Sequence, residues 1–204
     1  MSRRPPPAEE SARESTRSPT LETLAVFVAV FAVQQVVALV SQGLAAGLFV
    51  LAPPVSARPW TLLSSVYAHD GVGHLLSNAV VLALVGFAVE RVTTRWRFHA
   101  FFAGVGMLAG VAQVAATGVL GPGTPVLGAS GAVFGLAGYL LAGNAVTDAV
   151  LGRLPLSGRA KVVVLLAVAV AVTLVTAAPG VALVAHFTGF VLGAVAGRAK
   201  LLDA

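Results

Sequence analysis

The chain has no cysteine and very little charge. The first absence excludes disulfides, thiolate catalysis and cysteine-based metal sites. The four histidines are scattered. They form no cluster with ligand spacing, so no metal and no other cofactor is expected. Charged side chains make up only 10% of 204 residues, where a soluble domain carries about 25%. That excludes an ordinary water-facing surface. The net charge of +5 could point to nucleic acid, but the basic residues lie between apolar segments rather than on one soluble face. Nucleic acid is therefore rejected as a partner.

What is present is apolar: 57% of the residues are hydrophobic. Long apolar runs put the chain in the membrane class, with the lipid bilayer as its solvent. Met1 to Thr20 differ, being rich in Pro, Ser, Arg and Glu. They cannot bury enough surface to fold alone, so residues 1–20 are expected as a disordered cytoplasmic tail. Residues 21–200 are expected as one membrane domain. The first apolar run is too long for the core of a signal peptide and lacks a clear cleavage site, so it is read as a retained span.

A spanning helix needs about 20 apolar residues. Six segments qualify approximately: Leu24–Val50, Gly71–Val89, Phe98–Gly118, Leu127–Val146, Val162–Ala177 and Val181–Gly197. Ala178-Pro179-Gly180 joins the last two as a tight hairpin. Basic residues alternate between the connections. Arg3, Arg4, Arg13 and Arg17 precede the first span, and Arg91, Arg95 and Arg97 follow the second. Arg153, Arg159 and Lys161 follow the fourth, and Arg198 and Lys200 follow the sixth; only Arg58 lies opposite. This pattern predicts an all-α six-span bundle with both termini cytoplasmic.

Polar residues interrupt these spans where they are costly. Ionisable and polar groups inside lipid are functional candidates by default. Ser130, His186, and the pair His74 and Asn78 fall near the expected outer ends of the fourth, sixth and second spans. At 1.5 Å rise per residue, each lies roughly 5–10 Å inside its helix end. A hydroxyl, an imidazole and two further hydrogen-bonding groups at one depth are the parts of a serine hydrolase. Gly131 and Gly135 are four apart, as are Ala185, Gly189, Gly193 and Gly197. Small residues at this spacing let helices approach closely in lipid, which would bring Ser130 within reach of His186. His69 and His99 are read as structural or solvated, Gln34 and Gln35 as packing contacts. Glu90 is read as an arginine partner or a helix-end cap.

These residues resemble the rhomboid family of intramembrane serine proteases over about Arg58 to Gly193. Gly128-Ala129-Ser130-Gly131 matches its nucleophile motif. Ala185-His186 with Gly189 and Gly193 matches its base motif, and His74 with Asn78 its His-x-x-x-Asn motif. Gly86 and Glu90 fall where the family often closes its second helix with glycine and glutamate. One departure stands in the first external loop, Trp60-Thr61 in place of Trp-Arg.

The resemblance implies a Ser130–His186 dyad without a carboxylate. It implies an oxyanion site from His74, Asn78 and the Ser130 backbone N–H, and an aromatic, Phe134, packed on the base. The implied substrates are transmembrane segments of other membrane proteins, cut by an enzyme in the cell membrane whose site faces outward. A catalytically silent relative that only binds membrane helices is the alternative. Retention of both Ser130 and His186 argues against it. A proton pathway through His74 and His186 would need polar residues continuing to the inner leaflet, and the second span below Asn78 is almost wholly apolar.

Overall fold

The computed structural model describes residues 17–144 and 157–204, with 147, 149, 152 and 153 between them. Most of the expected tail and the end of the fourth expected span, residues 145–146, lie outside these. Among the described residues the fold is all-helical: α1 (Pro19–Val40), α2 (Gln42–Phe49), α3 (Thr61–Tyr67), α4 (Val72–Val89), α5 (Arg95–Leu120), α6 (Ser130–Gly143), α7 (Gly158–Val175) and α8 (Leu183–Arg198).

Ser18 starts α1, its Oγ accepting from the Leu21 N–H at 3.2 Å, with Pro19 in the first turn. Glu90, 70 residues on in sequence, accepts from the Thr20 N–H at 3.1 Å and from Ser18 Oγ at 2.7 Å. The carboxylate thus caps α1, favourably placed against the positive end of its dipole. Glu22 accepts from Arg95 Nε at 2.7 Å and lies 2.8 Å from His99 Nε2. The Ala204 N–H donates to Val92 O. The start of α1, the end of α4, the start of α5 and residues 203–204 therefore gather at one end of the bundle.

The first expected span is not one helix. Ser41 is extended (φ −161°, ψ 121°) and breaks it. The Ser41 Oγ accepts from the Leu44 N–H and restarts the chain as α2. A serine side chain offers the backbone an alternative to the helical bond, which hydropathy alone does not register.

The long connection after α2 is ordered. Leu51 and Val126 exchange two backbone hydrogen bonds, at 2.9 and 2.8 Å. Trp60 Nε1 donates to Gly47 O. Thr61, where the resemblance expects arginine, is buried and donates to Arg58 O at 2.6 Å. The Gly128 N–H donates to Ser65 O at 2.8 Å, tying the segment before α6 to α3. These bonds hold residues 126–129 outside any helix, so α6 begins at Ser130 itself rather than at Leu127. Ser130 does not lie a turn or more inside the helix, as the spacing predicted.

α6 is the buried centre. Its main partner is α8, and the two backbones touch. A methyl built on Gly189 or Gly193 would collide with the carbonyl oxygens of Gly131 and Gly135, one on Gly138 with that of Phe190, and one on Gly197 with that of Tyr139. No side chain fits between these helices, which is the close approach that small-residue spacing permits. Among the described residues four helices are long and apolar enough to cross a membrane: α1, α4, α5 and α7. At 14 and 16 residues, α6 and α8 run about 21 and 24 Å, short of a hydrocarbon core of about 30 Å. The turn between α7 and α8 carries Pro179 and Gly180, the latter at φ +83°.

Gly189→Val and Gly193→Val are expected to lower the thermal midpoint in detergent, each costing about 1–3 kcal/mol as overpacking or more where the backbones separate. Gly104→Ala, where an added methyl meets nothing within 4 Å, is the control and should leave the midpoint within a degree or two of wild type.

Candidate active site

A cavity of about 820 Å³ opens between the N-terminal ends of α4, α6 and α8 and the α7–α8 turn. Ser130, His186, His74, Asn78 and Phe134 all line it. Residues from three helices, expected from sequence at one depth, thus face one space.

Ser130 is the first residue of α6. Its N–H is one of the early helix donors that have no intrahelical acceptor. Gly128 stands at φ +127°, a conformation that side chains rarely adopt. The space its side chain would fill is taken by the His74 imidazole, 2.6 Å from the built methyl position at Cε1. The glycine therefore lets His74 lie directly against the backbone leading into Ser130.

His186 is buried, 6% exposed. Phe134 stacks on it with centroids 4.2 Å apart and planes 20° from parallel. Its Nδ1 lies 3.0 Å from the Thr176 Oγ1. Among the described residues no hydrogen bond joins Ser130 to His186. Nucleophile–base contacts are often long without substrate and tighten when it binds.

His74 Nδ1 lies 2.7 Å from Asp70 Oδ1. The pair is partly in water, with 28% and 72% of the two side chains exposed, so its contribution to stability is small. Asn78 is buried, and its Nδ2 donates one N–H to His74 O at 3.2 Å. The second N–H of that amide remains for the cavity.

Three residues of the site went unread in the sequence. Asp70 stands four positions before His74 at the start of α4, an ion-pair spacing that could have found it. Gln113 is buried in α5, lines the cavity, and accepts from the Ala185 N–H at 3.2 Å. It thereby caps α8 one residue before His186, and no local signal reveals a cap supplied from 72 positions away. Thr176 is the C-terminal cap of α7, and nothing in the sequence sets it apart from its neighbours in the hairpin.

His69 is not solvated. It is fully buried, its N–H donates to Gln34 Oε1 at 3.1 Å, and its ring meets Phe27 and His74 edge-on at 4.9 and 5.2 Å. Burial, and then the neighbouring His74, push its pKa down to about 4. It is neutral at physiological pH and acts as packing behind His74. Among the described residues no group of three metal-ligating side chains occurs.

The profile of the Rhomboid domain family matches residues 56–202. Over 82 residues the chain is 39% identical to Rhomboid protease GluP of Bacillus subtilis, a stretch covering 40% of this chain and 15% of that protein. It is 31% identical over 144 residues to RHOMBOID-like protein 4 of Arabidopsis thaliana, covering 70% of this chain and 34% of the relative. It is 37% identical over 83 residues to Putative rhomboid protease YdcA of Bacillus subtilis, covering 40% of each. The matched stretches thus span well under half the length of these relatives.

Gln113→Leu removes the acceptor for the Ala185 N–H. It is expected to lower the detergent thermal midpoint, at a cost of about 1–3 kcal/mol for an unsatisfied buried donor. An unchanged midpoint would show that the N–H finds water instead.

Proposed function

The chain belongs to the rhomboid family, and from that premise we propose that it is an intramembrane serine endopeptidase that cuts transmembrane segments of other membrane proteins. The observation that carries this reading is the convergence of Ser130, His186, His74 and Asn78 on one cavity. Singly, each has a bland role in helix packing. Together they supply a nucleophile, a base and oxyanion donors.

Ser130 Oγ attacks the scissile carbonyl while His186 Nε2 takes its proton, because a serine hydroxyl is a weak nucleophile until a base does so. Negative charge builds on the carbonyl oxygen. The Ser130 N–H at the positive end of α6, the Asn78 amide and the His74 imidazole are the donors for it. Asp70 accepts from the Nδ1–H of His74 and so fixes how that ring is turned. The Nε2 of His74 is the ring nitrogen left for the oxyanion. His186 passes its proton to the leaving amine, and water later hydrolyses the acyl-enzyme by the same base. A dyad suits lipid, because a buried carboxylate behind the base would be costly to desolvate.

Water must reach the serine. In this reading the short α6 and α8 cross together with α1, α4, α5 and α7, both termini are cytoplasmic, and α6 begins below the outer headgroups. The depression above it is walled by the connection before α6, where Thr124 and Pro125 line the cavity. Non-helical backbone at such depth is tolerated where it lines a wet cavity. A substrate helix must unwind to present an extended peptide to Ser130, so helix-breaking residues near the cut are favoured. A helix-binding relative without activity would keep the bundle but would have no use for Ser130 and His186 together.

A serine-directed fluorophosphonate is expected to label the purified protein in detergent, and a reporter with one transmembrane helix should be cleaved. Ser130→Ala and His186→Ala should do neither. Cleavage by Ser130→Ala at the wild-type rate would end the nucleophile assignment. His74→Ala and Asn78→Ala are expected to lower kcat by up to about 10²–10³-fold each, the range for loss of one oxyanion donor; unchanged kcat would remove that role alone.

A further inference from the structure

We propose that Thr176 is a positioning residue for the base. Its hydroxyl accepts the Nδ1–H of His186 and holds the imidazole in the tautomer whose Nε2 can take the proton of Ser130. The proposal deepens the dyad reading above and rests on it.

The direction of the hydrogen bond follows from a count of protons. Thr176 Oγ1 lies 2.8 Å from Thr173 O and 3.0 Å from His186 Nδ1. A carbonyl oxygen can only accept, and a hydroxyl has one proton to give. That proton goes to Thr173 O. The lone pairs of Oγ1 then face Nδ1, which must carry hydrogen. A neutral imidazole with Nδ1–H has its free lone pair on Nε2, as a general base requires.

The stacked Phe134 cannot make this choice. A ring turned by 180° about its bond to Cβ keeps nearly the same plane, so stacking is equally good either way. The exchange moves nitrogen to where carbon was. Only a directional partner distinguishes the two orientations, and Thr176 is the hydrogen-bond partner of the ring among the described residues. Because His186 is 6% exposed, an unpaired Nδ1–H would also be costly. A neutral hydroxyl thus performs the orienting task of a triad carboxylate without bringing a charge into the apolar site. It stands just past the end of α7, a helix that otherwise packs chiefly on α8.

Thr176→Val keeps the shape and removes the hydroxyl; Thr176→Ser keeps the hydroxyl. With the transmembrane reporter, Thr176→Val is expected to lower kcat about tenfold, the worth of one oriented hydrogen bond, with KM unchanged. Thr176→Ser should retain the wild-type kcat. Nitrogen-15 NMR of histidine-labelled Ser130→Ala protein should show His186 as the Nδ1–H tautomer with Thr176 and as a mixture with Val. Equal kcat and an unchanged His186 spectrum in Thr176→Val would overturn the proposal. If the valine variant does not accumulate, alanine replaces it, and alanine indistinguishable from serine in both readouts overturns it equally. The two levels separate cleanly: Ser130→Ala that still cleaves defeats the protease reading, whereas a dead Ser130→Ala beside a fully active Thr176→Val defeats only this one.

Discussion

Two helix backbones lie in contact, and the site hangs on that contact. α6 and α8 meet through glycines whose missing side chains would each strike a carbonyl oxygen of the other helix. Lipid tails are as apolar as leucine, so helices in a bilayer gain little from hiding apolar surface and associate through close packing. The glycine pairs turn that packing into a fixed distance and a fixed rotation. Gly131 follows Ser130 and Gly189 follows His186 by three residues. The contact therefore begins beside Ser130 on α6 and lies one turn from His186 on α8.

Polar groups elsewhere serve as joints between helices. Glu90 caps α1, Gln34 accepts from the His69 N–H, and Gln113 caps α8. Each satisfies a backbone donor that an apolar surrounding would otherwise leave unpaired, and each joins segments distant in sequence. This is why a chain so poor in charge spends polar side chains inside its spans. The two histidines that line the cavity are treated in the same way. His74 meets a partly hydrated carboxylate from Asp70, and the more buried His186 meets a neutral hydroxyl from Thr176. The charge of each partner follows the local access to water, because an anion behind His186 would have to be desolvated and one beside His74 does not.

Much of this was legible beforehand for simple reasons. Apolar length reports helices in lipid, since every backbone group must be satisfied within its own segment. Costly residues such as Ser130, His186 and Asn78 stand out against that background. The break at Ser41 was not legible, because hydropathy averages over a single extended serine. Nor was the start of α6 at Ser130, which depends on the Leu51–Val126 and Ser65–Gly128 bonds to another loop. His69 was open between a structural and a solvated role, and only packing against Phe27 and His74 decides for the buried, structural one.

The sequence by itself determined the membrane class, the helical secondary structure, the family and the residues worth suspecting. All of these are encoded locally, in run length, in spacing and in the presence of polar atoms where lipid penalises them. The tertiary structure decided which helices touch, where α6 begins relative to the serine, and which groups meet each imidazole. Those depend on hydrogen bonds between residues tens of positions apart, such as Gln113 to Ala185 and Ser65 to Gly128, and a one-dimensional pattern carries no term for a partner that distant.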